Sequence, residues 1–600
     1  MELTKYFPRF FNNFSQKKHF SCLLVPFTPF LLVSLHMKSN KMMKKALLSV
    51  ICLVTALTVH AQTDGMKAAN SDSHYFKVAK NLDVFNTIYK NLDMMYVDTL
   101  DADEVVGTGI NAMLKSLDPY TEYYPQDKSQ DVKMMLTGKY AGIGSLIRYN
   151  FKLGRVCIDE PYEHMPAAEV GLKMGDIILS IDGEDMTNKD NSYVSEHLRG
   201  DVGSTFELKI HRPSTGKDMR FKITRRAIQL PAVTYYGLQP NGFGYLNLNS
   251  FTENCGKTVR NAIIEMKQKG MKGLVFDLRG NGGGSEYEAV NIVNCFVPKG
   301  KLVVSNRGKL KRANHDYYTQ VEPVDTIMPV VVLVNGTSAS SSEITSGSLQ
   351  DFDRAVIMGT KTYGKGLVQT VLNLPYNGQM KLTTNKYYIP SGRCIQKLNY
   401  KHTADGSATE VADSLRHIFH TANGRIVKDG GGIMPDVEVT PDSLPNITYY
   451  LAGMRDSDEV VNTFELEYIA SHPTIASPAE FELTDSDFEH FKQMVLASRF
   501  KYDAMSGKQL DELEKLAKFE GYYDDAKAEF DALRAKLKHN LAHDLEYNKE
   551  SIKRMLEQDI VTAYYFQSGA VQNTLRHDKQ VKAAFSLLED TERYSKLLKP

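Results

Sequence analysis

The chain has 600 residues, with 72 Lys plus Arg against 72 Asp plus Glu, so its formal charge is zero. That length allows three or four domains with full cores, and the charge balance removes the electrostatic footprint that nucleic-acid binding requires. At 42% hydrophobic, the composition is that of a globular protein and not of a disordered one.

Taken in chain order, the first 61 residues read as a removable segment. Lys44-Lys45 precede an uncharged apolar run from Ala46 that ends in Val59-His60-Ala61. This is the order of a signal peptide, with cleavage expected after Ala61 and export to the periplasm; the run is short for a membrane span, and an N-terminal anchor is the alternative. Translation is expected to begin at Met42 or Met43. Cys22 and Cys52 fall in this segment. Cys157, Cys255, Cys295 and Cys394 are scattered with no C-x-x-C spacing, which excludes zinc ribbons and thioredoxin-like motifs and leaves free thiols as the expectation.

Residues 62–137 read as a helical region, with Phe85, Ile88, Tyr89 and Leu92 at helical spacing, broken at Leu117-Asp118-Pro119-Tyr120. Residues 138–228 read as a β-rich module punctuated by glycine. Gly142-Ile143-Gly144 leads into a strand, and Ile177-Ile178-Leu179-Ser180-Ile181 closes on an Asp182-Gly183 turn. Over 229–445 strands alternate with helices, and the apolar runs Gly273 to Leu278 and Pro329 to Asn335 are of the kind buried in a parallel sheet. This is an α/β core, with a polar insertion near 397–430. Residues 446–600 are charged and helical. The fold class is therefore multidomain α+β: helical region, β-rich module, α/β core, helical C-terminal region.

Two strand-to-helix junctions in the core carry candidate chemistry. Ser340-x-x-Glu343 is a capping box; a serine on such a junction is also exposed, with the following amide aimed where an oxyanion could sit. Asp277-Leu278-Arg279-Gly280-Asn281-Gly282-Gly283-Gly284 precedes Ser285-x-x-Glu288, and its glycines let backbone N–H groups approach a bound group. Alone this is equally a phosphate loop or a flexible turn. A serine needs a base, and the histidines offer none: His539 and His543 enclose Asn540 where a zinc protease needs Glu, and His417 and His420 lie in the insertion. No metal site is expected.

Lys365 remains. Gly359 to Lys365 has the spacing of a nucleotide-binding loop, but Gly366 stands where a hydroxyl must hold magnesium, and Leu367 to Leu372 suits a strand where a helix is needed. Nucleotide binding is excluded. A lysine can instead act as a base if burial lowers its pKa. Gln369 could orient it: a helical turn would bring the two together, whereas a straight strand would set them about 13 Å apart.

Eight ordered motifs resemble those of the C-terminal processing peptidases, PDZ-containing serine peptidases also called tail-specific proteases. They are Leu117-Asp118-Pro119-Tyr120-Thr121, Gly142-Ile143-Gly144, Gly171-Leu172-x-x-Gly175-Asp176, Asp277-Leu278-Arg279-Gly280-Asn281, Ser338-Ala339-Ser340, Gly364-Lys365-Gly366, Tyr388-Ile389-Pro390-Ser391-Gly392-Arg393 and Gly432-Ile433-Met434-Pro435-Asp436. The resemblance spans about 75 to 445. It implies a PDZ-like module at 138–228 before a ClpP/crotonase-like core, with Ser340 as nucleophile, Lys365 as base and Gln369 as the orienting amide. It further implies an oxyanion hole from the amides of Gly283 and Ser341, and no cofactor. Ser341 stands where the family often has alanine, and Gly282 where it often has proline. The Gly142-Ile143-Gly144 amides would receive the free C-terminus of a protein or peptide substrate. Residues 446–600 could serve a homo-oligomer or an adaptor. The rival reading is a non-catalytic PDZ peptide-binding adaptor.

Overall fold

The computed structural model describes residues 73–600 apart from 129–131, 133, 136, 401–406, 454–458, 504 and 539. The expected signal segment and His539 lie outside the described residues. The chain divides into a unit ending at Val106 and a unit from Gly107 to Pro600. In the first, residues 73–95 form one helix.

The second unit is organised by a six-stranded sheet in the order Val233–Leu238, Gly244–Leu248, Leu274–Asp277, Val330–Val334, Val356–Gly359, Val437–Glu438. The first pair is antiparallel and the others are parallel. Every residue of the strands Leu274–Asp277, Val330–Val334 and Val356–Gly359 is buried. A sheet covered on both faces needs no polar alternation, which is why these strands read as unbroken apolar runs.

One face of this sheet, through Phe276, Val332 and Val334, packs with Ile263, Val290 and Ile344 of the helices Cys255–Gln268, Glu286–Val293 and Ser341–Asp351. The other face, through Val275, Val331, Leu333 and Met358, packs on Val581, Ala584, Leu587, Leu588 and Tyr594. These belong to the helices Lys579–Glu589 and Thr591–Leu597. The Tyr594 hydroxyl accepts the Val330 N–H at 2.9 Å and donates to the Val330 carbonyl at 3.0 Å. Residues 579–597 are thus the second wall of the core, a role that reading the region as charged and helical did not identify.

A second sheet carries Glu122–Tyr124, Gln379–Tyr388, Leu302–Gly308 and His315–Tyr318 in that order, with Leu367–Asn373 also paired to Gln379–Tyr388. The strand Glu122–Tyr124 departs from the helical reading of this stretch. Asp118 turns the chain by accepting the N–H groups of Tyr120 and Thr121, both at 2.8 Å, and Glu122 to Tyr124 then pair with Gln379 to Lys381.

The β-rich module is an antiparallel sheet running from Ser145–Asn150 through Arg155–Pro161, Ile177–Ile181 and Thr205–Arg212 to Lys217–Thr224. Ile143, Ile158, Ile178 and Val194 lie in its core. Ser145–Asn150 is an edge strand, and the Gly142-Ile143-Gly144 stretch stands directly before it. Gly144 has φ +71°, and a Cβ there would meet Met165 at 2.5 Å, so this position requires glycine. The polar stretch near 397–430 folds as two short hairpins, Leu398–Tyr400 with Ala408–Glu410 and Ile418–His420 with Ile426–Lys428. Cys157, Cys255, Cys295 and Cys394 are free thiols, and burial pushes the first three up to about 12.

Deleting residues 579–600 is expected to bare one whole face of the core sheet. Each large apolar side chain lost removes roughly 1.5–3 kcal/mol, so the truncated chain will be insoluble or will lose its cooperative thermal transition, as differential scanning calorimetry of the soluble fraction will show. A truncated chain with an unchanged transition would contradict the assigned packing.

Candidate active site

Ser340 caps the helix Ser341–Asp351 with φ 55° and ψ −113°, a left-handed backbone that a residue with a Cβ adopts only under strain. The turn is held from several sides. Glu343 reaches back to accept the Ser340 N–H at 2.9 Å, its own N–H is donated to the Ser340 carbonyl at 2.8 Å, and the buried Tyr387 hydroxyl donates to that carbonyl at 3.3 Å.

The serines around Ser340 join the two junctions. Ser338 donates through its hydroxyl to the Leu278 carbonyl at 2.8 Å, Ser341 to the Gly284 carbonyl at 2.9 Å and Ser342 to the Asn281 carbonyl at 2.8 Å. Gly283 has φ +101°, and a Cβ there would lie 2.8 Å from the Ala339 oxygen and 2.9 Å from the Ser340 Cβ. Only glycine lets the loop come this close to Ser340. The Gly283 N–H is donated to Asn281 Oδ1 at 2.8 Å, so in this structure the expected oxyanion amide is engaged. At the far end of the loop Arg279 pairs with Asp277 and, at 2.8 Å, with Asp578 of the C-terminal region.

Lys365 lies between Gly364 and Gly366, each pressed against the chain at 396–397. A Cβ on Gly364 would meet Lys397 at 2.4 Å and one on Gly366 would meet the Gln396 nitrogen at 2.7 Å. The glycines therefore allow the close backbone approach expected of them. The following residues Leu367–Asn373 form a strand, so the helix N-terminus that a phosphate loop needs is replaced by a sheet edge. Burial, aided by the Lys381 ammonium, lowers Lys365 to about 8 against the carboxylates of Asp118, Glu343 and Glu122. Its Nζ stands 4.4 Å from the centroid of the Tyr120 ring.

Glu343 links the two halves of the site. Besides the Ser340 N–H it accepts Gly364 N–H at 2.7 Å, Lys365 N–H at 2.9 Å and the Thr362 hydroxyl at 2.5 Å. Burial pushes its carboxyl up to about 7 against the pull of these four donors. The capping-box signature revealed only its bond to its own helix; the bonds to 362–365 depend on how the fold brings the lysine loop to that helix.

Ser340, Ser341, Gly283, Lys365 and Gln369 all line one cavity of about 830 Å³. Gln369 sits in the strand, not in a helical turn, beyond a bulge at Val368, and its amide donates to Thr383 Oγ1 at 3.2 Å. Glu286 and Asn306 form another part of the wall, joined by a 2.7 Å hydrogen bond, with burial pushing the Glu286 carboxyl up to about 7. Sequence reasoning passed over this pair, because neither residue belongs to a motif. Gly142, Ile143 and Gly144 belong to the separate β-rich module.

Comparison with known proteins completes the picture. Residues 242–404 match the model of peptidase family S41, residues 158–212 a PDZ domain, and residues 447–588 the C-terminal helical domain of probable PDZ-proteases. The chain is 33% identical over 359 residues to a carboxy-terminal-processing protease of Bartonella bacilliformis, covering 59% of this chain and 81% of that one. It is 31% identical over 330 residues to the carboxy-terminal processing protease CtpB of Bacillus subtilis, covering 54% and 67%. It is also 29% identical over 352 residues to a probable CtpA-like serine protease of Staphylococcus aureus, covering 58% and 67%.

The strain at Ser340 has a measurable counterpart. Ser340→Gly relieves the left-handed backbone, whereas Ser340→Ala keeps it. After the greater unfolded-chain freedom of glycine is subtracted, the glycine variant is expected to be the more stable by about 1 kcal/mol in urea denaturation. A glycine variant less stable than the alanine variant would show that this turn is not strained.

Proposed function

The chain belongs to the carboxy-terminal processing proteases of peptidase family S41 and is a serine peptidase, and we propose that it captures free protein C-termini on its PDZ domain and cuts peptide bonds by a Ser340–Lys365 mechanism. The observation that supports this reading is the clamping of the strained Ser340 turn and the Lys365 loop by one buried carboxylate, Glu343, with Ser340 and Lys365 lining one cavity.

The Ser340 hydroxyl attacks the carbonyl carbon of the scissile bond as neutral Lys365 takes its proton. The carbonyl oxygen becomes an oxyanion, for which the Ser341 N–H and an N–H of the Gly282 to Gly284 run are the donors. Gly283 joins them when its N–H leaves Asn281. The intermediate collapses, Lys365 returns the proton to the departing amine, and an acyl group remains on Ser340. Water, deprotonated by the same lysine, then frees the enzyme and releases the new carboxyl terminus. Gln369, on the wall of the same cavity, keeps the role of orienting amide that the family resemblance gives it, and takes it up when its side chain leaves Thr383.

The tail is held elsewhere. A peptide adding along the edge strand Ser145–Asn150 runs antiparallel to it and ends at Gly142-Ile143-Gly144, where backbone N–H groups receive its carboxylate. The signal-like segment directs the protein to the periplasm, and the exported chain then begins at Gln62.

A loosely folded protein with a free C-terminus is expected to be cut by the wild type. Ser340→Ala and Lys365→Ala, folded by circular dichroism, are expected to lose at least about 100-fold in kcat/KM, and amidation of the tail is expected to slow wild-type cutting. Because the working base is the neutral amine, kcat/KM rises with pH through about 8 and levels above it. Undiminished cutting by Lys365→Ala would remove the lysine from the mechanism; equal cutting of amidated tails would remove carboxylate capture.

A further inference from the structure

The stretch Leu117 to Thr121 is far from Lys365 in sequence and has no part in the steps above, yet it supplies the aromatic face against which the lysine rests. We propose that Tyr120 is a positioning residue for Lys365: its ring face holds the ammonium and thereby sets the pH above which the base becomes free. The inference rests on Lys365 being the base of the serine peptidase, and it adds a group from outside the catalytic core to that machinery.

Tyr120 is placed with little freedom. Asp118, itself buried, accepts the Tyr120 and Thr121 N–H groups at 2.8 Å and the Thr121 hydroxyl at 3.1 Å. Thr121 Oγ1 in turn accepts the Thr383 N–H at 3.2 Å, which docks the turn on the strand Gln379–Tyr388. The Tyr120 hydroxyl donates to Tyr363 at 3.4 Å and accepts from Tyr400 at 3.3 Å. Burial and these two phenols push the Tyr120 hydroxyl well above its ordinary pKa. The ring therefore stays neutral and offers Lys365 the negative face of its π-system, 4.4 Å from Nζ. An aromatic face attracts the charged form of lysine and has no such attraction for the neutral amine.

The other charged groups facing Lys365 come from each element packed around it. Lys381, on Gln379–Tyr388, opposes the ammonium, while Asp118, Glu122 and Glu343 favour it. Lys381 is itself paired with Glu122, in the strand that follows the Asp118 turn. One short segment, 118–124, therefore both steadies the ammonium through Tyr120 and tethers the cation that destabilises it. Removing the ring leaves desolvation and Lys381 less opposed, so the lysine loses its proton at lower pH. It also leaves Nζ without the surface that places it, so turnover falls.

The test compares the wild type, Tyr120→Phe, Tyr120→Leu and a protein carrying pentafluorophenylalanine at 120, which keeps nearly the same shape while reversing the charge of the ring face. In Tyr120→Leu and the fluorinated protein, the acid limb of kcat/KM is expected to move down by about 0.5–1 pH unit, and Tyr120→Phe is expected to keep the wild-type limb. The same order is expected without turnover, in a Ser340→Ala background, from the pH dependence of reductive methylation of Lys365 read by peptide mass spectrometry. A limb and a methylation profile unmoved by the fluorinated ring would overturn the proposal, as would a Phe variant shifted as far as Leu. Methylation profiles that shift as expected, while the wild type cuts nothing, would uphold the Tyr120 contact and place the failure in the peptidase mechanism.

Discussion

Much of the active-site architecture depends on satisfying one buried carboxylate. Glu343 is withdrawn from water, and four donors are turned toward it from two separate chain segments. Deprived of any one of them it would be an under-bonded polar group in a low-dielectric interior, which is costly. The helix that carries Ser340 and the loop that carries Lys365 are thereby obliged to adopt a fixed mutual placement. The glycine loop is then laid over the same helix by Ser338, Ser341 and Ser342, each giving a hydroxyl hydrogen to a loop carbonyl. Rigidity thus comes from backbone groups and short side chains, leaving the long lysine as the adaptable part.

That placement is useful only because the sheet beneath it is well supported. The strands ending at Asp277, Val334 and Gly359 deliver the glycine loop, the Ser340 turn and the lysine loop to one end of the sheet, as parallel topology does for ligand sites generally. The helices after residue 578 cover the opposite face, and Arg279 reaches from the glycine loop to Asp578 and Gln580. The site and the wall behind it are therefore mechanically connected by an ion pair.

The alternation of buried apolar runs with amphipathic helices made the α/β core legible in the sequence, and the order of the glycine and serine motifs made the family legible. What escaped has physical causes. Glu343 was recognised as a cap because a capping box is a local pattern, whereas its other three donors arrive through tertiary structure. Gln369 could be placed in a helical turn or in a strand because Leu367 to Asn373 carries both possibilities; pairing with Gln379–Tyr388 decided it. The engagement of the Gly283 N–H by Asn281 depends on a side-chain rotamer, which no spacing encodes. The final helices were legible only as charged and helical, because the surface that Val581, Ala584 and Leu588 cover is set by tertiary packing.

The position of that last wall has a consequence for biogenesis. Synthesis delivers the core strands from Gly244 to Glu438 well before Lys579 to Leu597, so for that interval the emerging chain holds a sheet with one apolar face bare. A nascent polypeptide in that condition is sticky and only loosely ordered, and a cavity that depends on precise backbone placement is poorly formed on it. The cavity accordingly gains its full backing only once the helices Lys579–Glu589 and Thr591–Leu597 have been made and have docked on the sheet.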